Sequence, residues 1–202
     1  MVFMPVKLYA FLGPHASGRS TIITQLIGLG IPYIPTYTTK VFMRREDYKN
    51  SIYKTVKREE FDSMEFIAKY SYQGSEFGLK KDETLKALQN NRVSAALLGI
   101  KAIPQLRKFI KREFETVYIM ADQASLIERM LKLNYSNDEI KYYIEYAESH
   151  KEFDQWKTTD YIVKNTRDIS RAFEQVLSIM GLMELRSQAE IDALLGVKSA
   201  FA

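Results

Sequence analysis

The chain has 202 residues and a formal net charge of +4, with 46% hydrophobic and 27% charged residues. This composition excludes a disordered or collagen-like chain, and so small a charge does not by itself indicate nucleic-acid binding. The lack of cysteine excludes a thiolate metal site and a cysteine nucleophile, and two histidines are too few for a multi-histidine site. No apolar run is long enough to span a bilayer, and residues 1–7 lack the layout of a secretory signal, so we expect a cytoplasmic protein.

Strand-like and helix-like segments alternate along the chain, which predicts an α/β domain with a parallel sheet. The predicted strands are residues 6–12, 31–36, 92–98, 114–120 and 161–163. The predicted helices are residues 19–29, 123–133, 137–156 and 167–180, with Asp122 as a candidate N-cap of the second. Residues between about 36 and 81 are more polar and rich in Tyr, Lys and Arg, which indicates a small insertion on the main sheet.

The turn between the first strand and the first helix has the spacing of a phosphate-binding loop. Its sequence is GPHASGRST over 13–21, and the P-loop pattern is G-x-x-x-x-G-K-[ST], so Arg19 stands in the lysine position. Backbone N–H groups of such a loop cradle phosphates, and arginine keeps the lysine's charge but not its shape. The alternative is a glycine turn that merely begins a helix, and we interpret His15 as a tolerated surface residue. The predicted nucleotide-binding residues are Gly13, Ser17, Gly18, Arg19, Ser20 and Thr21, with Ser20 as the Mg²⁺ ligand if nucleotide binds.

The order of several short motifs resembles the guanylate kinase family over residues 6–182. The GPHASGRST segment is similar to that family's GPSGSGKST, residues 38–40 (TTK) to its TTR, and residues 160–165 (DYIVKN) to its closing D-Y-x-V-x-N. Tyr53, followed by Val56 and Phe61, is similar to the family's nucleotide-binding tyrosine. The resemblance implies a three-layer P-loop kinase fold over 1–183, with a nucleoside-monophosphate-binding insertion at about 36–81 and a helical lid at about 131–156. It also implies ATP and Mg²⁺ as cofactors if the protein is active.

Several positions depart from the family pattern. The family's guanine-binding Glu aligns with Ala68, its phosphate-binding Tyr with Phe77, the next Ser/Thr with Leu79, and its Asp-x-Asp with residues 97–99 (LLG). Phosphoryl transfer depends on positioning and charge stabilisation, and losing one such group often costs a factor of about 10² to 10³. We therefore predict a degenerate domain, weakly active or inactive, that acts as a nucleotide- or phosphate-binding and protein-interaction module.

The alternative is an active ATP-dependent nucleoside monophosphate kinase. A shift of the alignment around residues 62–80 would let Glu65 or Glu76 replace the missing acid. In such an enzyme Arg19 and Arg129 would be the catalytic cations that stabilise the transferred phosphoryl group. The predicted acceptor-binding residues are Thr36, Lys40, Arg44 and Tyr53. Aromatic residues are dense in 137–156, and we interpret them as packing against the core, with a partner-binding surface as the alternative.

The C-terminal tail, residues 184–202, contains a helix signal of its own. Ser187 and Glu190 form an S-x-x-E capping box, and so short a helix should fold only against another surface. The segment SQAEIDALL resembles the N-terminal peptide of bacterial flagellar motor switch proteins, which implies docking onto a phosphorylated chemotaxis response regulator or a flagellar ATPase. The alternative is a terminal helix that packs on its own domain. The predicted partner-binding residues are Glu190, Ile191, Asp192, Leu194 and Leu195.

Overall fold

The computed structural model describes residues 6–42 and 52–183, in which strands and helices alternate. The strands are β1 (Lys7–Leu12), β2 (Thr36–Thr38), β3 (Tyr53–Thr55), β4 (Phe66–Tyr72), β5 (Ser75–Lys80), β6 (Val93–Leu97), β7 (Phe114–Met120) and β8 (Tyr161–Lys164). The helices are α1 (Arg19–Gly28), α2 (Arg58–Ser63), α3 (Lys81–Asn90), α4 (Ile103–Ile110), α5 (Gln123–Lys132), α6 (Asn137–Ser149) and α7 (Ile169–Ile179). Outside the described residues lie Arg44, Glu190, Ile191, Asp192, Leu194 and Leu195, whose roles stay predictions.

The central sheet has four parallel strands in the order β6-β1-β7-β8. β1 is buried on both faces because helices and strands cover both sides of this sheet, which accounts for its unbroken apolar sequence. On one face Tyr9 and Phe11 pack with the apolar residues of α1 and α7. On the other face Leu8, Ala10 and Leu12 pack with α4 and with the second sheet. The predicted three-layer α/β fold is confirmed.

The second sheet has four strands in the order β3-β2-β5-β4. Strands β2 and β3 are parallel to each other. Strand β5 is antiparallel to both of its neighbours, β2 and β4. Strands β2 to β5 thus form a sheet beside the carboxyl ends of the central strands, where ligands of open α/β sheets bind. None of the helices in the described ranges is long and apolar enough to cross a membrane.

The strand predicted over 31–36 is wrong. This segment meets β6 only through an isolated bridge between Tyr33 and Ala95, and the regular strand begins at Thr36. Pro32 and Pro35 lack the N–H that a strand needs for its hydrogen-bond ladder, so pairing stops after one bridge. An apolar pattern alone does not distinguish such a segment from a strand.

The helix predicted over 137–156 also ends earlier than expected. It begins with a capping box formed by Ser136 and Glu139 and ends at Ser149. Lys151 then adopts a left-handed conformation with φ 52°, and residues Glu152–Thr158 form a 3₁₀-helix. The chain turns here because Glu152 enters the interior, where its backbone carbonyl accepts a 2.8 Å hydrogen bond from the hydroxyl of buried Tyr118.

Candidate functional site

The loop between β1 and α1 has the backbone of an anion-binding nest. Gly13, Ala16 and Gly18 all have positive φ, at 140°, 62° and 99°. Gly18 is the N-cap of α1, and none of the described side chains caps this helix end. The first N–H groups of a helix have no partner within the helix, and the helix dipole places partial positive charge there. The loop therefore presents donors suited to a phosphate group.

Two buried polar atoms at this loop have no hydrogen-bond partner among the described residues. They are the Ser17 Oγ and the Asn165 Oδ1, and both residues are 1% exposed. The Asn165 Nδ2 donates to the Ser17 carbonyl over 2.8 Å, which ties the end of β8 to the loop. Buried polar atoms are nearly always satisfied in folded proteins, so these atoms mark a place where a polar ligand or water completes the structure.

Arg129, on α5, holds the loop between β1 and α1 by hydrogen bonds. Its Nη1 donates to the carbonyls of Ala16 and Ser17, both over 3.2 Å, and its Nη2 donates to the carbonyl of Asn165 over 2.6 Å. Burial lowers the pKa of this guanidinium, but not enough for it to lose its charge at neutral pH. The sequence predicted a catalytic cation at Arg129; in this structure its donors point at the loop's own carbonyls.

A cavity of about 670 Å³ opens beside the loop, between the central sheet, the second sheet and α5 and α6. It brings together most of the predicted site residues. Those that line it are Ser17, Gly18, Arg19, Ser20, Thr21, Lys40, Tyr53 and Arg129. Gly13 instead lines a smaller neighbouring cavity of about 80 Å³.

Thr36 lies outside both cavities, although the sequence predicted an acceptor-binding role for it. Its hydroxyl donates to the Leu97 carbonyl over 2.7 Å in a fully buried position and so joins the two sheets. We expect Thr36→Val to lower the free energy of unfolding by about 1–3 kcal/mol, because the carbonyl loses its partner. Urea denaturation should measure this, with no loss of ligand affinity in the folded variant. Thr55→Val, at an exposed hydroxyl, is the control and should change little.

The side of the cavity formed by the second sheet is aromatic. Tyr70 stacks on Phe77 with ring centroids 5.5 Å apart, and Tyr53 meets Phe77 edge-on at 5.8 Å. Burial raises the pKa of Tyr70 and of Tyr72, so both hydroxyls stay protonated. None of the described residues on this side of the cavity is a carboxylate.

The acids considered as replacements for the missing glutamate do not reach the cavity. Glu65 is exposed and pairs with Lys81 at 2.6 Å. The Glu76 Oε1 accepts a hydrogen bond from the Ser71 hydroxyl over 2.7 Å. Neither lines the cavity, and Ala68, aligned with the family's glutamate, is buried in the core.

His15 joins the loop to the lid region, contrary to its expected role as a surface residue. Its ring stacks on Tyr143 of α6 with centroids 4.0 Å apart, and its Nε2 lies 3.1 Å from the Tyr135 hydroxyl. Tyr146 of the same helix meets Tyr72 of β4 edge-on at 5.2 Å. Tyr143 and Tyr146 therefore pack onto the loop and the second sheet, as the packing interpretation predicted, whereas Tyr142 of the same helix is 50% exposed.

Glu152 is a site residue that the sequence analysis missed. Its side chain is buried and lines one small cavity together with Tyr72 and Arg19. Burial raises the pKa of its carboxyl, which Arg19 and Tyr72 oppose. No motif contains this residue, and its position depends on the chain reversal after α6. Asn165 carried a usable signal, because it ends β8 in the D-Y-x-V-x-N motif and so lies at the loop's edge of the sheet.

The central parallel sheet, with this loop after its first strand, defines a P-loop kinase fold. A solved guanylate kinase from Anaplasma phagocytophilum has this fold, with a TM-score of 0.66, 16% sequence identity, and 97% of each chain covered. At this identity the similarity establishes the fold alone. The chain is thus guanylate-kinase-like in structure.

Two further solved structures match less well. TT1252 from Thermus thermophilus has a TM-score of 0.47 and 14% identity, over 90% of this chain and all (100%) of the other. Shikimate kinase from Bacteroides thetaiotaomicron has a TM-score of 0.48 and 17% identity, over 88% of this chain and 99% of the other. No protein-family model matches the chain, and no curated protein sequence matches it.

Proposed function

We propose that this protein is a nucleotide-binding, guanylate-kinase-like module whose phosphoryl transfer to GMP is weak or absent. The observation that carries this proposal is the contrast between the two sides of one cavity. The loop at 13–21 retains the backbone donors that a phosphate requires, whereas the second-sheet side is lined by aromatic rings and lacks a carboxylate among its described residues.

The loop side supports phosphate binding. The uncapped N-terminus of α1, the positive φ values and the unpartnered Ser17 Oγ all favour an anion with acceptor oxygens at this place. Ser20 lines the same cavity and would be the loop's ligand to Mg²⁺, which supplies charge neutralisation to bound phosphates. ATP and Mg²⁺ are therefore the expected cofactors if the protein transfers a phosphoryl group.

The second-sheet side disfavours guanine. Guanine presents N–H donors that a kinase selective for it must accept, and a buried donor left without an acceptor costs about 1–3 kcal/mol. The sequence places Ala68 where the resemblance implies the accepting glutamate, and Phe77 where it implies a phosphate-binding hydroxyl. Lys40 lines the cavity on this side and would face an acceptor's anionic group there.

We expect the natural chain to bind ADP but to transfer phosphoryl groups to GMP at least about 10³-fold more slowly than an active guanylate kinase in the same assay. Calorimetric titration with ADP and a coupled assay with ATP, Mg²⁺ and each nucleoside monophosphate would measure both properties. Arg19→Lys, which restores the usual loop residue, is the matched variant and should not restore GMP turnover. Saturable GMP turnover by the natural chain would contradict the proposal, and turnover of another monophosphate would favour the active-kinase alternative.

We also propose that the tail, residues 184–202, links this module to a protein partner of flagellar or chemotaxis type. The support is its capping box and its resemblance to the switch-protein peptide. Deleting the tail should leave the melting temperature of the domain unchanged and abolish binding to a purified phosphorylated response regulator or flagellar ATPase. Unfolding of the truncated chain would show instead that the tail packs on its own domain.

A further inference from the structure

A buried carboxylate faces the phosphate-binding loop from beyond α6. Glu152 is 5% exposed, and its backbone is fixed by the 2.8 Å hydrogen bond from Tyr118. It lines one cavity with Tyr72 of β4, whose hydroxyl lowers the pKa of the Glu152 carboxyl. A charge is rarely buried unless another charge or several donors compensate it, so Glu152 requires a cation nearby.

Arg19 is the loop cation that lines a cavity with Glu152 and whose charge lowers the pKa of this carboxyl. Together with Glu152 and Tyr72 it lines the cavity of about 80 Å³, and it also lines the larger cavity beside the loop. The side chain of Arg19 therefore lies between the two cavities. Burial raises the pKa of Glu152, and the charge of Arg19 opposes this rise. This opposition is consistent with the proximity of Arg19 and Glu152.

This arrangement gives a physical role to arginine in the lysine position. Lysine in such a loop is a compact point charge directed at the phosphates, whereas arginine has a longer reach and several donors. A carboxylate close to that guanidinium cancels part of the positive potential that an incoming phosphate would meet.

We propose that Glu152 is the counter-charge of Arg19 and thereby limits the affinity of the loop for phosphate. This inference rests on the proposed function, because it assumes that the loop binds phosphate. Glu152 is a positioning residue in this scheme, since it acts through Arg19 rather than on the ligand.

The test compares the natural chain with Glu152→Gln by calorimetric titration with ADP in the absence of magnesium. Glutamine keeps the shape and the acceptor for Tyr72 but removes the charge, so at pH 8 we expect ADP to bind about tenfold more tightly to the variant. As pH falls, the natural chain protonates Glu152 and the ratio of the two affinities should approach one. The ionisation of ADP itself cancels in that ratio, because both proteins meet the same ligand.

Other ionisable groups face Glu152 and are common to both proteins. These are Arg19, Tyr70, Tyr72, Lys101, Tyr118, Tyr146 and His150. Repeating the comparison in a His150→Gln background removes the imidazole that lines the same cavity as Glu152. In that background too, the ratio of the Glu152→Gln affinity to the affinity without this substitution should fall towards one as the pH is lowered.

Matched variants separate this role from a structural one. Glu148→Gln removes the same charge at an exposed position near the end of α6 and should leave ADP affinity within about twofold. Tyr72→Phe removes a donor that lowers the pKa of Glu152, so the low-pH rise in affinity should move to higher pH.

Two results would overturn the inference. One is ADP binding that Glu152→Gln leaves unchanged or weakens at pH 8, and the other is a ratio of affinities that does not depend on pH. Absence of ADP binding in both proteins would overturn the proposed function, and this inference with it, so the two failures can be told apart.

Discussion

Replacing Gly13 with alanine is expected to lower the free energy of unfolding by about 2–4 kcal/mol and to abolish ADP binding. A Cβ at this position would lie 2.5 Å from the backbone oxygen of Ile119 and 2.9 Å from the Ser17 Oγ. Backbone of a central strand cannot move aside as a side-chain end can. The φ of 140° adds strain that residues with a Cβ avoid. The loop must therefore shift away from β7, which changes the direction of its N–H donors.

Urea denaturation and calorimetric titration with ADP would measure these effects. Gly28→Ala is the matched control, because nothing lies within 4 Å of a Cβ there and the residue is helical. Alanine is the better helix former, so this variant should be more stable by about 0.5–1 kcal/mol and bind ADP normally. Equal stability of Gly13→Ala and the natural chain would show that the loop does not need its close approach to β7.

The elements that the sequence predicted well are those whose signals are local. β1, β7 and α1 follow from an apolar run, a β-rich run and a glycine loop, and each lies within a residue or two of its predicted bounds. The N-cap of α5 is another local signal: Asp122 accepts a 2.7 Å hydrogen bond from the Ser125 N–H as predicted. Such features require only the residues next to them in the chain.

The features that the sequence did not predict depend on contacts between distant residues. The segment 31–36 has the composition of a strand, but its prolines and its contacts with β6 decide its conformation. The end of α6 is set by the burial of Glu152 against Tyr118, which belongs to the distant strand β7. A pattern of apolar residues carries no information about such partners.

The candidate site also combines features that local sequence signals predict with features that depend on contacts between distant residues. The loop residues were predictable, because a P-loop is a contiguous motif with a stated mechanism. The contacts around the loop were not predictable: the Thr36 hydroxyl donates to the Leu97 carbonyl across the two sheets, and Glu152, which follows α6, lines a cavity with Arg19. Their chain separations are too large for any spacing rule, so only the folded arrangement reveals which groups hold the loop.

Arg129→Met should lower the free energy of unfolding by about 2–3 kcal/mol and weaken ADP binding about tenfold or more. Methionine keeps much of the apolar stem but removes the donors that bind the carbonyls of Ala16, Ser17 and Asn165. Those carbonyls then lose charge-assisted hydrogen bonds, and the loop is released from α5, while the Asn165 Nδ2 still donates to the Ser17 carbonyl. Glu128→Gln, at the adjacent exposed position, should leave stability and binding unchanged.

Arg129→Lys decides between the two roles that this residue could have. Lysine keeps the positive charge but cannot span three carbonyls, because its ammonium is a single compact group. If the charge of Arg129 were what stabilises bound phosphate, the lysine variant would retain most of the ADP affinity. Because the donors of Arg129 are directed at the loop itself, we expect Arg129→Lys to lose stability and ADP affinity nearly as much as Arg129→Met. Retained affinity together with lowered stability would contradict this expectation and return Arg129 to the role of a phosphate-binding cation.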